Sequence, residues 1–167
     1  EKIMQHKERE EAIGKLNGLI KDVGIAMLTT IDGDVLRSRP MQTQQFEFDG
    51  DLWFFTSKQT HKAEEIKRED RVNVSYAEPE TNTYVSVSGT ASIVNDKEKI
   101  EELWNPIYEA WFPEGLDDPN LCLLKVSVEQ AEYWEASSNA FVQLVGFIRA
   151  FVTGQRASGG DHGTVTL

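Results

Sequence analysis

Period-two alternation runs through the middle of this 167-residue sequence. RVNVSYA (71–77) and YVSVSGTASIV (84–94) set apolar against polar residues in turn, with the loop EPETN (78–82) between them. Such a pattern gives strands with one buried face. IAMLTTI (25–31), LWFFTS (52–57) and LCLLKVSVEQAEYWEA (121–136) add three strands. VLRSRPMQTQQFEF (35–48) reads as the return strand after an Asp32-Gly33 hairpin turn, and Asp49-Gly50 as a second turn. Residues 25–57 are therefore expected to form a meander. Pro40 has no backbone donor and implies a bulge or an edge position. Gly89 is expected to mark a bulge.

Helical spacing appears in four places. Ile13, Leu16, Leu19, Ile20 and Val23 predict a helix over 8–23, stopped by Gly24. Thr60 is a candidate N-cap for a short helix at 61–69. Asn95 or Asp96 opens a longer helix with Ile100, Leu103, Trp104, Ile107, Tyr108 and Trp111 on its apolar face and a kink at Pro106. Ala140–Val152 reads as a helix that is apolar on nearly every face. FPEGLDDPN (112–120) is a loop, and the tail ends in a short strand. Helices interrupt the strands instead of alternating with them, which predicts a mainly β, α+β antiparallel barrel. One domain spans 1–167, with an N-terminal helix within 1–24 and a C-terminal tail at 153–167.

The formal net charge of -11 argues against nucleic acid and anionic membranes as partners. No apolar run reaches the ~18 residues of a membrane helix. EKIMQHKEREEA is charged and has no apolar signal region. Cys122 is the only cysteine and the three histidines are scattered, so no metal site is expected and a reducing, cytoplasmic setting is. No GxGxxG, GxxxxGK[ST], HExxH, CxxC or GxSxG pattern occurs in a suitable context.

Against this acidity, Arg37 and Arg39 share one strand face. A loop carrying Thr56, Ser57 and Thr60 leads to a helix start at His61-Lys62, where free N–H groups add partial positive charge. Guanidinium, ammonium, hydroxyl and backbone donors brought together would suit a phosphate monoester. Trp53, Phe54, Phe55 and Trp134 could stand beside it as a flat aromatic wall. In the alternative reading both arginines pair with carboxylates, of which the chain has 28.

RSRPM, LWFFTSKQTHKAEEIKREDRVNVSY, YVSVSGTASIV and AEYWEA, in this order and spacing, resemble the pyridoxamine 5'-phosphate oxidase-like split barrel, in its general stress protein branch. The resemblance covers nearly the whole chain. It implies a split antiparallel β-barrel and a homodimer, with FMN, or FAD as the alternative, bound at the interface. Arg39 resembles the arginine that meets the flavin phosphate, and Arg37 and Ser38 flank it. Pro40 and Met41 line the isoalloxazine through their backbone. Phe55 and Thr56, followed by Ser57, resemble the aromatic-hydroxyl pair lining the flavin. Thr60 stands where serine is common, and His61 and Lys62 resemble the basic pair at the phosphate. Tyr84 stands where the oxidases have glutamine. Trp134 resembles the tryptophan donated by the second subunit.

QTQQ (42–45) and EASSNA (135–140) replace the lysine and the arginine-histidine pair with which the oxidases hold their substrate. The flavin half of the site is matched and the substrate half is not. The resemblance thus implies an FMN-dependent oxidoreductase with an unknown small substrate, and no residue stands out as its acid or base. The alternatives are a flavin store or sensor without turnover, pyridoxamine phosphate oxidation, and a structural dimer without ligand.

Overall fold

The computed structural model describes residues 2–44, 47–136 and 160–167. Its strands are β1 (Ile25–Asp32), β2 (Val35–Gln42), β3 (Asp51–Ser57), β4 (Arg71–Glu78), β5 (Thr83–Val94), β6 (Leu121–Ala136) and β7 (Gly160–Thr166). Its helices are α1 (Lys2–Ile20), α2 (His61–Arg68) and α3 (Lys97–Leu103). The strands form one antiparallel sheet in the order β2-β1-β4-β5-β6-β3, with β7 also paired to β6. The mainly β, α+β antiparallel architecture is the one expected, although the sheet is not closed.

The meander expected over 25–57 ends after its first hairpin. β3 pairs with β6, from Asp51↔Ser127 to Ser57↔Leu121, at the opposite end of the sheet from β2. The cause is burial. Leu52, Phe54, Phe55 and Thr56 are all buried, so β3 needs cover on both faces. Leu52 and Phe54 join the main core and Phe55 packs with Ile100, Leu103 and Tyr108, a place β3 reaches by pairing with the Leu121–Leu124 run of β6, itself buried throughout. β2 carries mostly exposed residues and stays at the free edge, where Pro40 sits opposite Met27 without a break in register. β2 ends at Gln42 because Thr43 turns back to the end of the first helix, donating from N to Gly24 O and from Oγ1 to Val23 O.

Helix α1 starts earlier than the spacing predicts and ends at Ile20, where the Val23 N–H bonds Ile20 O and tightens the chain into a turn. Leu16, Leu19, Ile20 and Val23 still enter the core. The bulge at Gly89 is present. A Cβ there would stand 2.1 Å from Ser127 O, which explains the glycine. The long helix expected after Asp96 is two elements. Asp96 caps α3 through the Glu98 and Lys99 N–H groups. The helix then stops at Leu103, and Asn105 caps a separate 3₁₀ turn, Pro106–Ala110. Pro106 supplies no N–H to an α-helix and opens the tighter turn instead. The helix expected over Ala140–Val152 lies outside the described residues. Among the described residues, no helix is long and apolar enough to cross a membrane.

Candidate functional site

β2 and β3 lie at opposite ends of the strand order, yet their C-terminal ends face one cavity of about 380 Å³. Pro40, Met41 and Gln42 line one side, and Phe55, Thr56 and Ser57 the other. Ile25 also lines it, and Thr60 and Lys62 bring in the start of α2. Tyr108, Trp111 and Phe112 complete the wall. The volume is in the range of small-molecule sites.

Seven of the residues singled out in the sequence meet here: Pro40, Met41, Phe55, Thr56, Ser57, Thr60 and Lys62. Arg39 stands beside them. Burial, and then the nearby Arg39 guanidinium, hold the Lys62 ammonium below the ordinary lysine value. Two like charges are thus kept close in a partly desolvated place, an arrangement that an anion would relieve. Thr60 occupies the N-cap position, but its side chain does not cap. The hydroxyl donates to Ser57 O at 3.0 Å, leaving the first N–H groups of α2 open to another acceptor. The Thr56 hydroxyl is buried at the cavity wall and has no hydrogen-bond partner among the described residues.

Other expected site residues stand elsewhere. Arg37 is half exposed and paired with Asp32 at 3.1 Å. Arg39 is paired with Glu65 at 2.8 Å. Pairing with a surface carboxylate therefore holds for Arg37, whereas Arg39 pairs with the buried Glu65 and keeps a place near Lys62. The Ser38 hydroxyl bonds Thr29 on the opposite face of β2. His61 is exposed and does not line the cavity. Tyr84 and Trp134 are cross-strand partners, both exposed, on the outer face of the sheet, where Trp134 stacks on His162.

The aromatic wall also differs from expectation. Phe54 belongs to the main core, Trp53 packs under Lys99 and Lys125, and Trp134 faces outward. Of the four, only Phe55 reaches the cavity. Its companions are Tyr108, at 4.8 Å between centroids, and Trp111 and Phe112. Burial raises the Tyr108 phenol above its usual value, and its hydroxyl donates to Gln44 Oε1 at 3.1 Å. Trp111 is 60% exposed and stands at the cavity rim. The sequence allows Trp111 a place at a pocket, while helical spacing favours a core face of a helix that Pro106 in fact ends. Cys122 donates to Thr56 O and burial raises its thiol, as suits a core residue.

The family described as pyridoxamine 5'-phosphate oxidase like matches residues 11–158. Protein bli-3 of Neurospora crassa is 29% identical over 160 residues, covering 89% of this chain and 77% of that protein. General stress protein 26 of Bacillus subtilis is 38% identical over 92 residues, covering 53% of this chain and 65% of that protein. Among solved structures, the general stress FMN/FAD binding protein from Xanthomonas citri is 30% identical, covers 78% of this chain and 92% of its own, and superposes with a TM-score of 0.68. The chain belongs to the pyridoxamine 5'-phosphate oxidase-like family and falls in its general stress protein branch.

Proposed function

We propose that this chain binds FMN in the cavity between the ends of β2 and β3 and acts as an oxidoreductase on a small substrate. One observation carries the reading: a mostly apolar cavity is lined by Thr60 and Lys62 at the uncapped start of α2, with the Arg39 guanidinium near Lys62. A phosphate monoester fits that donor set, and a fused ring fits Met41, Phe55, Tyr108, Trp111 and Phe112. Arg39, Lys62 and the α2 N–H groups bind the phosphate. The Thr56 hydroxyl is free to donate to the ring's polar edge. Tyr108 and Phe112 exclude water from it. The flavin supplies reversible hydride acceptance, and the chain supplies its position. FAD is the alternative cofactor, its added nucleotide leaving through the open side of the cavity.

A homodimer is part of the proposal. It is supported by the exposed Tyr84 and Trp134 pair on the outer sheet face, which suits a partner subunit's cavity. The buried, free Cys122 is in keeping with a reducing, cytoplasmic setting. The second reading, a flavin store or sensor, is favoured by the scarcity of acid–base groups: Lys62 and Tyr108 are the titratable cavity residues among the described residues.

The test mixes purified protein with FMN, removes the excess by gel filtration, and records the visible spectrum before and after addition of NADH or NADPH. Retained flavin absorbance that bleaches with the donor supports the oxidoreductase. Retained absorbance that never bleaches supports the store. A colourless protein contradicts both.

A further inference from the structure

Glu65 lies one helical turn beyond Lys62 on α2 and is only 2% exposed. A carboxylate buried to this degree is costly unless its oxygens are paired. Its pairing is uneven. Oε2 accepts from the Thr30 hydroxyl and from Arg39 Nη2, and Arg39 Nη1 donates in turn to Thr30 Oγ1. The three side chains close a ring on the inner face of β1 and β2. Oε1 has no hydrogen-bond partner among the described residues, and Arg37 Nε stands 3.8 Å from it.

We infer that Glu65 is a positioning residue, which with Thr30 clamps the Arg39 guanidinium so that its remaining donors are held ready for an anionic phosphate. This rests on the proposed flavin site. A guanidinium has five N–H donors, and the ring uses one Nη1 and one Nη2 hydrogen, leaving three. Held on two sides, Arg39 gives up less rotamer freedom when a phosphate arrives. The opposite effect of the same carboxylate is repulsion of the phosphate. The two effects predict opposite signs when Glu65 is replaced.

The experiment measures FMN and riboflavin affinity by quenching of flavin fluorescence, for the wild type and for Glu65→Ala, Glu65→Gln, Arg39→Ala and the Arg39→Ala/Glu65→Ala double variant. A clamp predicts that Glu65→Ala weakens FMN by about three- to tenfold and leaves riboflavin within about twofold. Glu65→Gln, whose amide oxygen still accepts from Arg39, recovers most of the loss, and Glu65→Ala costs nothing further once Arg39 is gone. Equal losses for both flavins, tighter FMN binding, or an undiminished loss without Arg39 would each overturn the assignment. If Glu65→Ala does not fold, Glu65→Gln decides: FMN affinity near the wild type supports the clamp, and a rise contradicts it. A wild type that binds neither flavin removes the flavin site and the clamp together. Wild-type binding with an unchanged Glu65→Ala removes the clamp alone.

Discussion

Lys62 lies close enough to Arg39 for the guanidinium to help lower its pKa, and the two residues come from elements that are not neighbours in the sheet. Arg39 is on the edge strand β2 and Lys62 is in the first turn of α2. The strand and the helix meet because α2 packs over the end of β1, with Ala63, Glu65 and Ile66 buried beneath it.

Lys62→Ala is expected to weaken FMN by ~1.5–3 kcal/mol, the worth of a hydrogen bond to a charged group, with riboflavin hardly changed. Arg39→Ala should do the same, and Arg37→Ala much less, because Arg37 is spent on Asp32 at the surface. Fluorescence titration of each variant with both flavins checks this.

The lowered pKa of Lys62 gives a pH dependence whose sign is fixed. In the ligand-free protein the charged ammonium is less favourable folded than unfolded, so it destabilises the fold below its folded pKa. The penalty disappears as pH rises through that value toward 10.5, the ordinary one. Lys62→Met should therefore raise the melting temperature at neutral pH, and its margin over the wild type should shrink on the alkaline side. Thermal melts of both proteins across that range measure it. FMN affinity should fall over the same range, since the ammonium loses its charge.

Trp111→Ala should leave stability within ~0.5 kcal/mol, because the side chain is largely exposed. Both flavins should lose about 0.5–1.5 kcal/mol of affinity, the worth of an aromatic contact. Equal loss for FMN and riboflavin separates this ring contact from the phosphate contact of Lys62. Chemical denaturation and flavin titration together read the two halves.

Gly89→Ala should destabilise the fold by at least ~1–3 kcal/mol, because its methyl group would collide with the Ser127 carbonyl in the next strand. Urea unfolding reads the loss, and a neutral result would mean that the bulge can relax.

Local pattern carried most of the strands and the Gly89 bulge, because each depends on neighbours in sequence, and it left Pro40 between a bulge and an edge position and the cap between Asn95 and Asp96. The pairing of β3 was not legible. A run such as LWFF states that both faces are buried and leaves open which strand covers them. The cavity was legible at the start of α2, where Lys62 and Thr60 follow a helix-start pattern, and through the family resemblance for Pro40, Met41, Phe55 and Thr56, all of which line it. The places of Tyr108 and Phe112 in the wall were not, since helical spacing continues across Pro106 on paper and stops there in the chain. Glu65 was hidden among the acidic residues of α2, and only its 2% exposure separates it from Glu64.

The most direct test of the phosphate-centred flavin site is the ratio of FMN to riboflavin affinity for the purified wild-type protein, measured by calorimetry at low and at high salt. The site described here predicts that FMN binds at least about tenfold more tightly than riboflavin, with the gap narrowing as salt screens Lys62 and Arg39. Equal affinity for the two flavins at both salt concentrations, or binding of neither, would contradict it.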